Sequence, residues 1–260
     1  MKAIEVIELN ISERKLKILQ LLQQAGNVRV TELSTLLGVT DETIRKDLDS
    51  LSEIGKLQRT HGGALPLPEV PMLAPHLERE QTHAELKKEI AEIALRQIQP
   101  HDTIAMDGST TVSYLAKIMP DIPLTVVTNS MKTAFELSTR EHIHIISVGG
   151  IFLRQSFSFH GSLTERILKE YHVHKAFLSC TGLHADRGFS DSNEAHASVK
   201  KRMIEIADDV YYLLDSSKLG VKDLIQIASI QSHVNVITDS SADPAIMEQL
   251  ADSGVRWIKE

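Results

Sequence analysis

The sequence contains a single cysteine, Cys180, among 260 residues. This count excludes an intrachain disulfide and a multi-cysteine zinc site, and it favours a reducing compartment. No stretch approaches the ~18 consecutive apolar residues of a membrane span, and the N-terminal segment lacks the apolar run of a signal peptide. We therefore expect a soluble, cytoplasmic protein with no membrane partner.

Motifs of several enzyme classes are missing as well. The sequence has neither G-x-x-x-x-G-K-[ST] nor G-x-G-x-x-G for nucleotide binding, and it has no G-x-S-x-G for a nucleophilic serine. Cys180 is more simply a packing residue than a nucleophile. The pairs His142/His144 and His172/His174 have the spacing of one strand face, but chance pairs are expected among twelve histidines. We therefore predict no cofactor and no metal site.

Prolines are few, and their clustering divides the chain. Four of the eight fall in "PLPEVPMLAP", where each removes an amide donor and disfavours helix in the residue before it. We predict a proline-rich linker over 66–80, between a small domain over 1–65 and a larger domain over 81–260. The small domain carries nine basic and nine acidic side chains, so the net charge of −7 belongs to the rest of the chain.

The small domain contains three amphipathic helical runs. The first is "SERKLKILQLLQQAG", with Ser12 as a candidate N-cap, and the second is "VTELSTLLGV", with Thr31 as a candidate cap. Gly38 offers a left-handed turn before Thr40, which is placed to cap a third helix from Asp41 to about Ile54. The second and third helices, joined through "GVT", predict a helix-turn-helix.

The third helix has an apolar stripe and a polar face. At about 100° per residue, Ile44, Leu48 and Leu51 point inward. Acidic residues in the first turn suit the positive end of the helix dipole, and basic residues one turn later are placed to meet bases and phosphates. The following segment, "GKLQRTHGGAL", predicts a short β-wing. The expected DNA contacts are Thr40, Glu42, Thr43, Arg45, Lys46, Arg59 and His61. An inert bundle that contacts only protein stays open on pattern alone.

Beyond residue 100, short apolar runs alternate with helical stretches. The runs are "TIAM", "LTVV", "IHIISV", "KAFLSC", "VYYLL", "LIQIAS" and "VNVI". This alternation predicts an α/β domain with an open, mostly parallel layered sheet. A closed eight-fold barrel is disfavoured, because such barrels need ~250 residues.

Small polar residues follow most of these runs. Since ligands bind beyond the carboxyl ends of parallel strands, they predict a pocket for a ligand rich in oxygen. In "DGSTT", Gly108 permits a tight turn, and Ser109, Thr110 and Thr111 open a helix that suits a phosphate. The simpler alternative is that these hydroxyls only cap the helix.

Three further polar residues at strand ends complete the predicted pocket. Asp107 and Asn129 are placed to meet sugar hydroxyls, and Lys218 to balance a phosphate. The simpler alternative for Lys218 is a solvated surface lysine.

These features resemble the DeoR family of bacterial transcriptional repressors. "TIRKDLDSL" and the wing pattern L-x-R-x-H-G-G-A carry the resemblance, which continues more loosely to the C-terminus. It implies a winged helix-turn-helix and a sensor domain related in fold to ribose-5-phosphate isomerase, which binds a phosphorylated sugar. The matching sensor positions are Asp107, Gly108, Ser109, Thr110, Thr111, Asn129, Ser130, Gly149, Gly150, Gly161, Gly182, Glu194, Lys200 and Lys218.

The resemblance leads to a specific functional expectation. We expect a repressor of a sugar or polyol catabolic operon that binds operator DNA and is released by a phosphorylated sugar. The neutral DNA module favours a homodimer or homotetramer on repeated half-sites. The alternative is a sugar-phosphate isomerase with Glu194 or Asp107 as its base, but the lysine- and glycine-rich loop of that family is absent. We therefore expect no enzymatic activity.

Overall fold

The computed structural model describes residues 13–53, 56–65, 76–231 and 233–258. The chain divides into two compact units, Met1–Met72 and Leu73–Glu260, each with its own apolar core. Within the described ranges, every helix is too short or too polar to span a lipid bilayer.

The first unit is a three-helix domain with a small antiparallel sheet. Its core includes Ile18, Ile44, Leu48 and Leu51, all fully buried, so the predicted inward stripe of the third helix is confirmed. The three strands pair in the order β1-β3-β2, and the β2–β3 hairpin is the predicted wing. The elements are α1 (Glu13–Ala25), β1 (Val28–Arg29), α2 (Val30–Leu37), α3 (Asp41–Glu53), β2 (Gln58–Thr60) and β3 (Gly63–Leu65).

The turn between α2 and α3 follows the predicted chemistry. Gly38 has φ 66°, in the left-handed region that favours glycine. Thr40 caps α3, because its Oγ1 accepts a hydrogen bond from the Thr43 amide at 3.3 Å. The predicted cap at Thr31 is wrong: α2 already begins at Val30, and the carbonyl of Thr31 accepts hydrogen bonds from hydroxyls in the next turn. The candidate cap Ser12 lies outside the described residues.

The second unit is built on a seven-stranded, fully parallel sheet. Its strand order is β15-β14-β12-β9-β4-β5-β6. The strands are β4 (Thr103–Met106), β5 (Leu124–Thr128), β6 (Ile143–Ser147), β9 (Val173–Leu178), β12 (Ala207–Leu213), β14 (Val234–Ile237) and β15 (Arg256–Trp257). The expected open, mostly parallel α/β sheet is therefore confirmed, and six of the seven predicted apolar runs form it.

Helices cover both faces of this sheet, which gives three layers. Apolar residues of α5, α6 and α7 pack on one face, and those of α8, α9 and α10 pack on the other. The helices are α4 (His76–Gln81), α5 (Ala84–Leu95), α6 (Thr110–Ile118), α7 (Met131–Leu137), α8 (Ser162–Leu168), α9 (Glu194–Glu205) and α10 (Pro244–Asp252). Helix α4 covers the last five residues of the segment predicted as linker and ends one residue beyond it.

Two small antiparallel sheets flank the main one. One is the hairpin of β7 (Ile151–Leu153) and β8 (Ser158–His160). The other joins β10 (Gly182–His184), β11 (Gly188–Asp191) and β13 (Ile225–Ala228). The run "LIQIAS" forms β13 and therefore lies outside the parallel sheet. From β4, the next strands of the sheet, β5 and β6, are added on one side. The following strand, β9, lies on the other side of β4, so the strand order reverses between β4 and β9. Parallel sheets bind ligands at such a reversal.

Candidate anion pocket and nucleic-acid interface

Helix α3 presents a mixed-charge polar surface in the first unit. Glu42, Arg45 and Lys46 are exposed, Thr43 is half-buried, and Asp49 is exposed one turn further on. The buried stripe described above holds this face outward. A helix of this kind, preceded by a turn and followed by a β-hairpin, matches the geometry with which winged modules enter the major groove.

Arg59 on β2 lies beside α3 and is held there by two acceptors. Its Nε donates to Asp49 Oδ1 at 2.6 Å, and its Nη1 donates to the Gly63 carbonyl. The guanidinium therefore fixes the wing against the polar face of α3, and its charge is shared with a carboxylate. His61 is exposed at the tip of the hairpin.

A cavity of about 280 Å³ opens in the second unit, at the carboxyl ends of β4 and its neighbours. Eight residues expected from the sequence line it: Asp107, Gly108, Ser109, Thr110, Thr111, Asn129, Lys200 and Lys218. The sequence analysis missed Arg79, Thr82, His83, Lys87, Ser156, Ser158, His160, Ser179, Cys180, Thr181, Asp191, His196, Val199 and Asp215.

The N-terminus of α6 forms one wall of this cavity. Ser109 caps the helix by accepting from the Val112 amide at 3.4 Å, and the Ser113 amide bonds to the Ser109 carbonyl. The amides of Thr110 and Thr111 belong to the first turn, where no carbonyl of the same helix accepts them. Gly108 is required by space, since a Cβ there would lie 2.7 Å from the Ser158 Cβ. Open amides at a helix start suit an anion.

Two lysines bring positive charge to the cavity. Lys87 is buried on α5, and its Nζ donates to the carbonyls of Arg79 and Thr82. The pKa of Lys87 is lowered to about 8, chiefly by burial; the charge of Asp215 opposes this shift, and the charges of Lys218 and Arg79 add to it. Lys218 is half-buried in the turn after β12. An anion bound here would offset the repulsion between these cations.

Asn129 supplies a buried acceptor that has no donor. Its Nδ2 donates to the Phe159 carbonyl at 2.9 Å, whereas its Oδ1 is buried and has no hydrogen-bond partner within the described chain. An orphaned buried oxygen costs about 1–3 kcal/mol, so it calls for a missing donor. A ligand hydroxyl in the cavity would be such a donor.

Lys200 lies buried between two carboxylates on the cavity floor. Its Nζ bonds to Asp191 Oδ2 and lies 3.8 Å from Asp107 Oδ2. Burial alone would lower the pKa of Lys200, but the two carboxylates raise it, so the ammonium stays charged. Burial raises the pKa of Asp107, although Lys200 opposes this, whereas the pKa of Asp191 falls because Lys200 outweighs its burial. The floor therefore offers fixed charges together with a carboxyl group that holds a proton more readily than usual.

Two stacked histidines complete the polar wall. The rings of His160 and His196 lie 4.7 Å apart. Burial, reinforced by the Lys200 charge, lowers the pKa of His196 to about 3, so this ring is neutral at neutral pH. His160 Nδ1 lies 3.1 Å from the Ala195 carbonyl, and its Nε2 lies 2.8 Å from Ser158 Oγ, which in turn donates to Ser156 Oγ. This wall is suited to hydrogen bonding with neutral hydroxyls.

Cys180 reaches the same cavity but is not set up for chemistry. Burial raises the pKa of its thiol to about 12, so the nucleophilic thiolate is not formed at neutral pH. Its Sγ donates to the Gly182 carbonyl at 3.3 Å. The expectation that this residue packs rather than attacks agrees with these contacts.

Three of the expected glycines lie outside the cavity wall and have backbone roles instead. Gly150 has φ 153°, and a Cβ there would lie 2.0 Å from Thr164 Oγ1. Thr164 Oγ1 also donates to the Gly149 carbonyl at 2.8 Å, which joins this turn to α8. Gly161, with φ 93°, occupies the N-cap position of α8. These residues shape the turns around the β7–β8 hairpin and do not line the cavity.

Three other expected residues are also outside the cavity. Ser130 is buried and caps α7 by accepting from the Thr133 amide at 3.1 Å. Gly182 is needed because a Cβ would lie 2.6 Å from the Val221 carbonyl oxygen. Glu194 is exposed in the first turn of α9, whereas Lys200, six residues further along the helix, is buried.

The two units match two models of one family. A DeoR-like helix-turn-helix domain covers residues 14–68, and a DeoR C-terminal sensor domain covers residues 82–240. The chain belongs to the DeoR family of transcriptional regulators. In DeoR terms, the first unit is the helix-turn-helix domain and the cavity lies in the sensor domain.

Named DeoR-type relatives align along nearly the whole chain. An uncharacterized HTH-type transcriptional regulator, YulB, of Bacillus subtilis is 48% identical over 95% of both chains. The L-fucose operon activator of Haemophilus influenzae is 36% identical over 86% of this chain and 90% of its own. A putative aga operon transcriptional repressor of Escherichia coli O157:H7 is 34% identical over 95% and 93%.

The sensor domain also resembles solved structures at a lower level. Ribose 5-phosphate isomerase A from Methanocaldococcus jannaschii is 15% identical, with a TM-score of 0.39 over 52% of this chain and 54% of its own. A likeness of this size says nothing about activity.

Proposed function

We propose that this DeoR-family protein is a repressor of a sugar or polyol catabolic operon that is released from its operator by a phosphorylated sugar. The cavity carries this proposal, because it joins a site for an anion to a site for hydroxyl groups. Names of relatives support the sugar link, since one regulates an L-fucose operon and another an aga operon. Because the regulator of the L-fucose operon is an activator, these names do not decide between repression and activation. The choice of repression rests on the family resemblance.

The pocket supports one orientation of the ligand. The phosphate would bind the amides and hydroxyls of Thr110 and Thr111, with Lys218 and Lys87 as counter-charges. The carbon chain would lie across the floor, where its hydroxyls donate to Asn129 Oδ1 and to Ser158 Oγ. This arrangement uses both the open helix N-terminus and the orphaned amide oxygen.

A calorimetric screen with operator binding as its second readout tests the proposal. Pentose, hexose and polyol phosphates would be titrated into the protein, and each binder would then be added to the protein–operator complex. We expect the ligand that binds most tightly to lower operator affinity by the same coupling factor that DNA applies to the ligand. Binding without any effect on DNA would refute the regulatory role, and sugar turnover in the same mixtures would favour the isomerase alternative.

Among the basic residues of α3, Arg45 is the one that we expect to contribute most to operator affinity. It is exposed on the second turn of α3, where direct contacts to base edges or phosphates form. Arg45→Ala should weaken operator binding by about tenfold to 100-fold, which corresponds to roughly 1–3 kcal/mol. Fluorescence anisotropy on labelled operator measures the change. Arg29→Ala is a matched control on the exposed part of β1, and equal losses in both variants would argue against the α3 surface.

Ligand affinity should fall above about pH 8. In the free protein, burial holds the pKa of Lys87 near 8, and a bound phosphate would raise it because the charged ammonium gains a partner. Below pH 8 the Lys87 amine of the free protein is already protonated. At higher pH the amine is neutral, so the protein must take up a proton when the phosphate binds, and this weakens binding. Affinity should therefore drop by up to about tenfold per pH unit. Ligand titrations between pH 7 and 9.5 measure this decrease in affinity. The Lys87→Met variant should not show the decrease.

The route from the cavity towards the DNA module begins at α4. This helix begins within the predicted proline-rich linker and supplies Arg79 to the cavity wall, and the turn after it supplies Thr82 and His83. His83 Nδ1 lies 3.3 Å from Asp215 Oδ1, and Lys87 holds the carbonyls of this segment. We propose that ligand binding repositions α4 and that this movement is passed along the chain to the DNA module.

A further inference from the structure

Two acid–base pairs join helix α3 to its neighbours in the first unit, and they face different ways. Asp47 is buried, and its carboxylate accepts from Arg14 of α1, from Nε at 2.5 Å and from Nη2 at 3.2 Å. Asp49 pairs with Arg59 of β2, and its side chain is 57% exposed. Residues two apart on a helix are separated by about 200°, so Asp47 packs inward while Asp49 lies on the outer side. The second pair therefore belongs to the surface of α3 and the wing.

Asp49 lies on the same side of α3 as the bases predicted to contact DNA. At about 100° per residue, it is within about 60° of both Arg45 and Lys46 around the helix axis. All three side chains are exposed. A carboxylate in this position repels DNA phosphates, so it opposes the attraction that the two bases provide. An acid on the binding face needs a second role to offset this repulsion.

That second role is to fix the position of Arg59. Asp49 Oδ1 accepts from Arg59 Nε at 2.6 Å, and the Gly63 carbonyl accepts from Nη1, so the guanidinium is bonded on two sides. An unbonded arginine samples many rotamers and loses that freedom when it binds a partner. A guanidinium carries five N–H donors, so the bonded side chain can still donate to a phosphate. The pair holds the base of the wing in one orientation before DNA arrives.

The two effects of Asp49 differ between an operator and other DNA. Binding to DNA of arbitrary sequence comes almost entirely from charge, and there the carboxylate offsets much of what Arg59 contributes. At the operator, base contacts hold α3 and the wing in one register, so a prepositioned Arg59 contributes fully. An unfavourable interaction that acts mainly on wrong partners increases specificity.

We infer that Asp49 is a specificity-determining residue of the DNA-binding unit, which weakens binding to non-operator DNA while it positions Arg59 for the operator. This role depends on α3 and the wing as the DNA-binding surface. It is independent of the ligand in the sensor domain, so it stands or falls separately from release by a phosphorylated sugar.

Fluorescence anisotropy with two labelled duplexes tests this role on the full-length protein. One duplex is selected from random sequence by the wild-type protein, and the other is its shuffled version. Asp49→Asn keeps the shape of the side chain and removes its charge. It should tighten binding to the shuffled duplex by about three- to tenfold at about 50 mM salt and steepen the salt dependence there by about one phosphate contact. Binding to the selected duplex should change less, so the ratio of the two affinities should fall about threefold or more.

Three further variants separate this role from a general effect of charge. Asp49→Glu keeps the charge and should keep the wild-type salt dependence. Glu32→Gln removes one exposed charge from α2 and should alter both duplexes alike, which leaves the ratio unchanged. In an Arg59→Gln background, Asp49→Asn should no longer change the ratio, because its partner is gone. An unchanged ratio in Asp49→Asn would overturn the inference, and so would an equal fall in Glu32→Gln or the same fall without Arg59.

Discussion

Thr110→Glu is expected to lower the affinity for phosphorylated sugars by about 100-fold or more while leaving operator affinity without ligand unchanged. The Thr110 side chain is buried against the cavity, so a longer carboxylate would fill the space that a phosphate needs and repel it. Losing two charge-assisted hydrogen bonds, each about 1.5–3 kcal/mol, is enough for this decrease. A glutamate in the first turn also suits the helix dipole, so α6 itself should remain folded.

The control for this experiment is Thr110→Ser, which keeps the hydroxyl and removes only a methyl group. We expect it to bind the ligand within a fewfold of wild type. Thermal shift is a convenient readout, because a ligand at 100 times its dissociation constant stabilises the folded state by about 2.7 kcal/mol. If Thr110→Glu responds to the ligand at the wild-type midpoint, the phosphate does not bind at the start of α6.

The central strands of the sensor domain could be predicted because most of their residues are buried on both faces. Runs such as "LTVV" read as uninterrupted apolar segments, which is the pattern of a central parallel strand. Strand β11, "GFSD", combines a glycine with polar residues, and β15 has only two residues, so neither carries a pattern of this kind. Their positions depend on pairing with distant segments rather than on local periodicity.

The same distinction applies to the cavity. Asp107 and Asn129 could be selected because each directly follows a predicted strand, and strand ends converge in a parallel sheet. Lys87 and Asp191 could not, because one lies on a helix before the first central strand and the other ends a strand with no apolar run. Lys200 came only from the family resemblance, since its burial between two carboxylates depends on the packing of α9 against β11.

The expected glycine and serine positions that lie outside the cavity show the limit of carrying a motif over residue by residue. Gly150 and Gly182 are each required by a close backbone approach that excludes a Cβ. Ser130 is required by the start of α7. A motif match cannot separate such structural requirements from ligand contacts, because both fix the residue type.

Glu80→Gln is expected to separate ligand binding from operator release. Glu80 is buried on α4 and forms ion pairs with Lys117 on α6 and Lys132 on α7. Its burial would raise its pKa, but the two lysines lower it, so the carboxylate is charged at neutral pH. The glutamine keeps the shape and loses the charge that fastens α4 to both helices. The ligand should still bind within about tenfold of wild type, because α6 and the cavity floor are unchanged.

The operator complex of Glu80→Gln should nevertheless persist at saturating ligand. A ligand shifts a two-state equilibrium only by its differential affinity for the two states, and a loosened α4 would no longer distinguish them. Anisotropy of labelled operator, measured with and without ligand, gives the coupling factor. Glu85→Gln is the matched control, because it removes an exposed ion pair with Lys88 on α5 and should leave coupling intact. Wild-type release by Glu80→Gln would show that the signal reaches the DNA module without α4.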